Sequence, residues 1–360
     1  MNFVILFVPA LIVLIVSKYM YGNKITPKEI MIHFGIILVA SCIALGATYA
    51  VLYSKLSDVE ILNGEVTGKY RHKEICTESS SCKHYTWHER CTRNSKGERS
   101  CTSYKVFDYV YEVDWYVQST VGEFEIERVN RQGTIEPNRY TIAKKGDPAS
   151  AEHRYVNYLF ADEHSLFASK TFSEQYDEDY QKGIPNYPNV YDYYNVSHVV
   201  NKSNASDAGY EKYLRDKLRT MGEEKQVNIV VVMYDYRDVK FVDATISKWR
   251  GGKKNDVIMF FGVDDSGNVK AFDSTSFAQG MNNEALHSKM RMDAINEKLS
   301  LDLVKIQVDN INTLFNRLPN QEFEYMKYTI EPAKWVIILI SIVLLIISIY
   351  VGQYMRDNDL

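Results

Sequence analysis

Four of the five cysteines lie within 26 residues, and they form the strongest chemical signal in the sequence. They are Cys76, Cys82, Cys91 and Cys101, spaced C-x5-C-x8-C-x9-C. An even number of closely spaced cysteines in an oxidising compartment is typical of disulfide bonds, and four cysteines allow three pairings. The sequence therefore predicts two disulfides and leaves their pairing open.

A zinc site is the main alternative for these cysteines, because His72, His84 and His88 lie in the same stretch. Zinc motifs usually contain two cysteines separated by two to four residues, and no such pair occurs here. Free thiols are a third possibility. Residues 77–100 are polar and poor in aliphatic side chains. A segment with so little apolar area to bury needs covalent support, which favours the disulfides.

Aromatic and basic side chains surround the cysteines and predict a partner-binding surface. Tyr85, Trp87 and His88 are the candidate contact residues, with arginine and lysine nearby. Tyr, Trp and Arg contribute most of the binding energy at protein interfaces. The alternative is a disulfide-braced support that binds nothing. The whole chain has 42 basic and 46 acidic side chains, and this balance argues against a nucleic-acid partner.

The segments around the cysteines are predicted to be β-strands. Residues 60–72 alternate between apolar and polar side chains, and residues 103–119 are rich in β-branched and aromatic types, which predicts one continuous strand. A further strand, 123–129, follows a Val-Gly turn. These strands belong to a β-rich module at 56–165, and a loop-rich connector follows at 166–205.

A second soluble domain is predicted at 206–318. Its first helix is capped by Ser206, and the apolar runs 226–233 and 256–263 are typical of strands buried on both faces. An acidic turn leads from the second run into a short strand at 268–272. Further helices are predicted at 242–249, 283–296 and 300–318. The order α-β-α-β-β-α-α predicts an α/β or α+β sandwich with helices packed against one sheet.

Three uncharged apolar runs predict membrane-spanning helices, since a span needs roughly 17 to 25 residues. The predicted spans are residues 1–20, 30–54 and 335–355. The first lacks the basic start and the cleavage site of a signal peptide, so it is predicted to be retained. Lys18, Lys24 and Lys28 lie between the uncharged run of the first span, which ends at Ser17, and the second span, and they are expected to keep this loop in the cytoplasm. Residues 55–334 are therefore expected outside the cytoplasm.

The second soluble domain resembles the TPM family, named after thylakoid-lumen phosphatases and membrane-tethered modulator proteins. The resemblance rests on the order of an IVVV strand, a KWRGGKKNDV segment, an IMFFGVDDSGNVKAF hairpin and two helices within 206–318. A soluble domain followed by a C-terminal span is also usual in the family. The chain departs from it at Asp273–Ser276, where the family has a Gly-Tyr-Gly loop.

The TPM resemblance implies a candidate metal site and a membrane-tethered, metal-dependent phosphatase. Family members credited with phosphatase activity or calcium binding use acidic residues near the glycine loop, and the matching positions are Asp264, Asp265 and Asp273. With Ser274 and Ser276, these carboxylates offer the oxygen ligands that calcium and magnesium prefer. The alternative is a hairpin turn, which the sequence DDSG favours. Because the glycine loop is missing, the turn is preferred and no cofactor is expected.

The cysteine module resembles a class of uncharacterised membrane proteins encoded by tailed bacteriophages. The resemblance covers about residues 55–165 and rests on the YEVDWYV strand and the RVNRQG…EPNRY stretch. It implies a bacterial host membrane, which we predict to be the inner membrane, and it says nothing about mechanism.

The sequence as a whole predicts an α+β membrane protein with three transmembrane helices, a disulfide-braced β module and a TPM-like α/β sandwich. The predicted function is non-enzymatic: an interaction or scaffold protein that contacts membrane lipid and a protein of the host envelope. The metal-dependent phosphatase is the alternative. A channel is disfavoured, since the uncharged runs that form the spans contain no acidic or basic side chain apart from His33. Heptad spacing within 300–318 leaves a homo-oligomer open as well.

Overall fold

The structure is a computed structural model of a mixed α+β protein. It describes residues 6–22, 26–93, 95, 97–160, 175–193, 195–277 and 282–358. The chain divides into two compact units. The helical unit comprises Met1–Asp58, Tyr155–Ala168 and Asn320–Leu360, and the mixed unit comprises Val59–Arg154 and Ser169–Pro319.

Helices and strands are numbered in chain order. The helices are α1 (Val8–Tyr21), α2 (Pro27–Lys55), α3 (Asn138–Ile142), α4 (Glu178–Gly183), α5 (Tyr210–Lys225), α6 (Phe241–Lys248), α7 (Glu284–Ala294), α8 (Leu301–Leu314) and α9 (Lys334–Asn358). The strands are β1 (Ser57–Ile75), β2 (Tyr85–Arg93), β3 (Arg99–Phe107), β4 (Tyr111–Ser119), β5 (Gly122–Ile126), β6 (Pro148–Val156), β7 (Val190–Asp192), β8 (Asn195–Val196), β9 (Val199–Asn201), β10 (Asn228–Asp235), β11 (Asp256–Val263) and β12 (Val269–Ser276).

Two helices of the helical unit, α2 and α9, are long and apolar enough to cross a membrane. They contain the second and third predicted spans. A capping box starts α2: the Thr26 hydroxyl accepts from the Glu29 N–H at 3.2 Å, and the Glu29 carboxylate accepts from the Thr26 N–H at 2.6 Å. Helix α1 has only 14 residues, fewer than a span needs. Residues 1–5 lie outside the described part of the chain, so the first span stays a prediction.

The apolar helices pack on one another around α9, which contacts both α1 and α2. Leu6, Ile337, Ile340 and Leu344 form a buried cluster there. The ring Nε2 of His33 lies 2.6 Å from the Ser348 hydroxyl, and both side chains are buried. The imidazole of His33, which lies within the second predicted span, thus has a hydrogen-bond partner on a neighbouring helix.

The β module of the mixed unit is a four-stranded sheet in the order β5-β4-β1-β6. Its core lies under one face of β4, where Val113, Trp115 and Val117 alternate with polar residues. Gly133 adopts φ +80° beside this strand, and an added Cβ would lie 1.9 Å from the Val113 carbonyl oxygen. This position therefore requires glycine. The Gly133 carbonyl in turn accepts from the Trp115 indole N–H at 2.8 Å.

The prediction of one strand across 103–119 is wrong, because the chain breaks between β3 and β4. The two halves have different partners. Strand β3 pairs with β2, whereas β4 pairs with β1 and β5. Both halves have the side chains that favour strands, so composition alone did not reveal the break.

The second part of the mixed unit is a four-stranded sheet in the order β12-β11-β10-β9. Strands β9, β10 and β11 are parallel, and β12 is antiparallel to β11. All eight residues of β11 are buried, as expected for a strand covered on both faces. Helices α5, α7 and α8 cover one face of the sheet, and α6 covers the other.

Several segment boundaries differ from those predicted. Strand β9 lies in the predicted connector but forms the edge of the second sheet. Asp273–Ser276, where the TPM family has a loop, belongs to β12 and pairs with β11. Helix α5 follows Gly209 at φ +84° instead of a Ser206 cap. In α8, Val304, Val308 and Ile311 pack on the domain's own sheet, which accounts for the heptad spacing.

Buried amides join the two sheets into one unit. Asn63 on β1 donates from Nδ2 to the Asn228 side chain on β10 at 3.0 Å and accepts from the Ser150 hydroxyl at 2.7 Å. Asn255 donates to the Ile61 carbonyl at 2.7 Å. All four side chains are buried, and a buried polar group needs such partners. These hydrogen bonds therefore fix the position of the β module against the second sheet.

Candidate functional site

Strands β2 and β3 form a two-stranded ribbon, called the ribbon below, that pairs with no other strand among the described residues. None of its strand residues is buried. A lone two-stranded hairpin is marginally stable at best in water, so the ribbon needs covalent support. Two disulfides supply it. Cys91–Cys101 links directly opposed residues of the two strands, and Cys76–Cys82 closes the segment before β2.

The two predicted disulfides are confirmed, and their pairing is between neighbours in sequence. Two groups of potential metal ligands among the described residues contain these cysteines, together with Glu112 or Glu89. In the disulfide form the sulfur atoms are not thiolates, the form that zinc requires. The geometry thus favours the disulfide interpretation over the zinc alternative.

Tyr85 and Trp87 lie on one face of the ribbon together with Lys105 and Phe107; this is called the aromatic face. Trp87 is 62% exposed. The Lys105 ammonium lies 4.5 Å from the centre of the Tyr85 ring, 5.9 Å from that of Trp87 and 6.0 Å from that of Phe107. A cation at this distance is attracted to the ring faces. The aromatic face therefore combines apolar area with positive charge.

His88 points to the opposite face of the ribbon, because side chains alternate along a strand. There its ring lies 6.0 Å from that of Tyr104, and the Arg90 guanidinium lies 5.2 Å from the same Tyr104 ring. The structure thus brings two of the three predicted contact residues together and separates the third. Lys105 and Tyr104 were missed, although alternation along residues 103–107 would have indicated them.

The ribbon is positively charged. Strands β2 and β3 contain four basic side chains and one acidic side chain, Glu89, in a chain whose net charge is −4. Among the described residues, no carboxylate lies within ion-pair distance of Arg90, Arg93, Arg99 or Lys105. Their charges are therefore available to a partner. Arg128, which follows β5 and is not part of the ribbon, is by contrast paired with Glu112 at 2.7 Å.

Glu112 on β4 fixes the base of the ribbon. Its carboxylate accepts from the backbone N–H groups of Lys83 and His84, both at 3.0 Å, and from the Arg128 guanidinium at 2.7 Å. Burial raises the pKa of this carboxyl, but the hydrogen bonds outweigh it and lower the pKa to about 2. Glu112 is thus a buried anion that holds the chain entering β2.

The three predicted metal ligands do not gather at one point. Among the described residues they belong to no group whose ligand atoms all lie within 4.8 Å of one another. Asp273 pairs with Phe260 in the strand ladder, and Asp264 lies four residues beyond Phe260. At about 3.3 Å per residue this is a separation of roughly 13 Å along the strand.

Asp264 caps the hairpin turn between β11 and β12. Its carboxylate accepts from the N–H groups of Ser266 at 3.0 Å and Asn268 at 2.8 Å. The Asn268 hydrogen bond is the main cause of a lowered pKa at Asp264. This is the contact pattern of a turn, the alternative that the sequence preferred.

Asp265 is paired with Arg237, which sequence analysis missed. The Arg237 guanidinium lies 2.9 Å from Asp265 and 2.8 Å from Asp235 at the end of β10. Hydrogen bonds to Asp235 raise the pKa of Arg237 and keep the bridge charged. A cation at this edge of the sheet would have to displace an arginine, and no local sequence pattern predicts such a pairing across 28 residues.

Ser274 and Ser276, the other predicted oxygen ligands, are buried around His287 on α7. Their hydroxyls lie 2.8 Å from Nδ1 and 3.0 Å from Nε2 of this ring. Burial lowers the pKa of His287, so the ring is neutral at physiological pH. Both hydroxyls are thus used inside the domain.

A cleft of about 310 Å³ lies beside the carboxyl end of β10. Its lining includes Tyr180, Lys202, Tyr234 and Asp238, but none of the three predicted metal ligands. The Tyr180 hydroxyl donates to Asp238 at 2.7 Å. The carboxyl ends of parallel strands are where α/β domains usually bind small ligands. The cleft is thus a feature separate from the predicted metal site.

No protein-family model matches the chain, and a comparison with curated proteins finds no relative. The resemblances to the TPM family and to phage membrane proteins therefore stay predictions.

Proposed function

We propose that the chain is a membrane-anchored interaction protein that displays the mixed unit outside the cytoplasm and binds an envelope partner through the ribbon. The observation that carries the proposal is the ribbon itself. It has no buried strand residue, it exposes Trp87 beside the half-buried Tyr85 on one face, and its cations lack acidic partners among the described residues. A protein rarely maintains so exposed an aromatic surface unless something covers it.

Two observations support this compartment. Lysines between the first two predicted spans keep that loop in the cytoplasm, which places the mixed unit on the other side. Structural disulfides persist in oxidising compartments outside the cytoplasm, and the ribbon depends on two of them. In a bacterial cell this arrangement corresponds to the inner membrane with the mixed unit facing the envelope.

The alternative of a TPM-type phosphatase is less well supported. It needs carboxylates that are free to take a cation, whereas Arg237 already pairs with Asp265 and the turn occupies Asp264. Asp273 is exposed but lies far along the strand from both. We therefore assign no catalytic residue.

Site-specific photo-crosslinking in native membranes tests the proposal. A photoreactive amino acid at Ser103, an exposed position on the aromatic face, should give an adduct with the partner. The Trp87→Ala substitution should remove that adduct, because it deletes the largest exposed ring of the face. Mass spectrometry of the adduct identifies the partner's class.

The matched control places the same amino acid at Thr220, an exposed position on α5. This position should give no adduct that depends on Trp87. An equal yield from Thr220, or no adduct from Ser103, would show that the ribbon is not the contact surface.

A further inference from the structure

We infer that the surface that the ribbon contacts is an anionic phospholipid bilayer, bound by the aromatic face and by the basic side chains around it. This inference rests on the proposed function and names the chemistry of the partner. Charge and side-chain type carry the argument.

The charge of the ribbon is suited to an anionic surface. Arg93, Arg99 and Lys105 lie on the aromatic face and have no acidic partner among the described residues, and Glu89 is the only carboxylate that the two strands place on this face. A bilayer with anionic headgroups attracts nearby Lys and Arg side chains by about 1 kcal/mol each. The chain as a whole has a net charge of −4, so the ribbon is a positively charged part of a slightly acidic chain.

The aromatic face adds side chains that favour the membrane interface. Trp and Tyr concentrate at headgroup level, where one end of the ring is apolar and the other is hydrated. Trp87, Tyr85 and Phe107 cluster around the Lys105 ammonium within 6.0 Å. The rings can enter the interface while the ammonium stays at the phosphates.

The shape of the ribbon favours lipid over an acidic protein. High-affinity protein interfaces depend on a central anchor side chain held in a well-packed pocket. Every strand residue of the ribbon is exposed or half-buried, so the ribbon itself forms no such recess. A bilayer needs no recess on the protein. A flat surface binds it because its cations are attracted to the headgroups and its aromatic rings insert into the interface.

Vesicle flotation with the full-length protein tests this inference. The protein is held in nanodiscs of phosphatidylcholine, and separate vesicles of phosphatidylcholine with about 30% phosphatidylglycerol are added, which supply the negative surface potential. We expect the discs to float with these vesicles at about 0.1 M salt. At about 1 M salt the Debye length falls to about 3 Å and flotation should be lost.

A variant with Arg93, Arg99 and Lys105 replaced by Gln should bind these vesicles up to about 150-fold more weakly, from three charges at about 1 kcal/mol each. The matched control replaces three exposed cations elsewhere in the mixed unit by Gln: Arg154, Lys212 and Arg291. It should float like the wild type. An unchanged melting temperature and an intact-mass measurement show that both variants keep the fold and the disulfides.

The inference is overturned if the wild type floats equally with pure phosphatidylcholine vesicles, if the control variant loses binding as much as the ribbon variant, or if the wild type binds neither vesicle. In the last case the Ser103 crosslink shows whether only the lipid inference fails or whether the proposed function fails as well. A Trp87-dependent protein adduct would then leave the proposed function standing with a protein partner, whereas its absence would reject both.

Discussion

Replacing Glu112 by Gln should loosen the base of the ribbon and remove a defined pH dependence from the protein. The Glu112 carboxylate accepts from two backbone N–H groups and from Arg128, and the Glu112 side chain is only 1% exposed. Gln keeps one acceptor oxygen but presents an amide N–H to the remaining donors. The substitution therefore leaves donors at a buried side chain without a partner.

The size of the effect follows from the pKa of this carboxyl. The difference between a pKa of 4.5 and one of about 2 corresponds to about 3 kcal/mol of stability at neutral pH. His84, a further partner of Glu112, is 24% exposed, so water reaches the cluster and screens it. We expect roughly half of the full value, about 1.5 kcal/mol. For a folded unit of this size this is a fall in melting temperature of roughly 3–6 °C.

Thermal unfolding of the full-length protein in detergent between about pH 2 and pH 7 measures this effect. Because the folded-state pKa lies below the ordinary value, the contribution is complete above pH 4.5 and is lost as the pH falls towards 2. The wild type should therefore lose stability relative to Glu112→Gln across this window. The two curves should converge at its acid end.

Glu127→Gln serves as the matched control, because Glu127 is exposed and follows β5 in the same module. It should change the melting temperature by less than about 1 °C, as expected for a surface substitution. The reasoning would be refuted if the difference in melting temperature between Glu112→Gln and the wild type stayed constant from pH 7 to pH 2.

Two further changes test the interior of the mixed unit. Burial raises the pKa of Asp256 from 3.8 to about 6, partly opposed by hydrogen bonds, so its charged form disfavours folding as the pH rises through this range. We expect the free energy of unfolding of Asp256→Asn, measured in urea, to rise by about 3 kcal/mol relative to that of the wild type between about pH 4 and pH 7. The Gly222→Ala substitution should cost roughly 1–3 kcal/mol in the same assay, because its Cβ would lie 2.6 Å from the Cβ and the carbonyl oxygen of Asn63 on β1.

Each of these two changes has its own control. Asp243→Asn changes an exposed carboxylate on α6, and its free energy of unfolding relative to the wild type should not rise comparably with pH. Gly183→Ala adds a methyl group where no atom lies within 4 Å and should be nearly neutral. A flat pH profile for Asp256→Asn, or equal costs for the two glycine substitutions, would contradict the packing and burial on which the predictions depend.

Sequence reasoning succeeded where the signal is local. The continuous apolar runs at 226–233 and 256–263 became β10 and β11, because only a strand covered on both faces buries every side chain in a row. The cysteine spacing predicted two disulfides. Their pairing follows from the register of β2 on β3, which places Cys91 opposite Cys101.

Contacts between distant segments were out of reach. The pairing of Arg237 with both Asp235 and Asp265 depends on how the ends of β10 and β11 meet, and nothing in the spacing of these residues encodes it. The same holds for Glu112, whose partners come from the entry to β2 and from Arg128. The acidic residues of the hairpin were therefore interpreted without the arginine that pairs with them.

The break between β3 and β4 has a related cause. Residues 103–107 and 111–119 have equal preference for the extended conformation, but each finds a different partner strand. Strand preference records how well a side chain fits a pleated surface, and it carries no information about which surface. The ribbon is therefore visible in sequence only through its cysteines and its lack of aliphatic residues.

The dependence of the ribbon on covalent links determines when in its lifetime the protein can act. Cytoplasmic thiols are kept reduced, and a two-stranded hairpin without a buried face does not persist on its own. A newly synthesised chain on the proposed topology therefore has no working contact surface until export has brought its cysteines to an oxidant. The maturation of this surface is coupled to translocation, and premature binding to the inner face of the same membrane is avoided without a separate inhibitor.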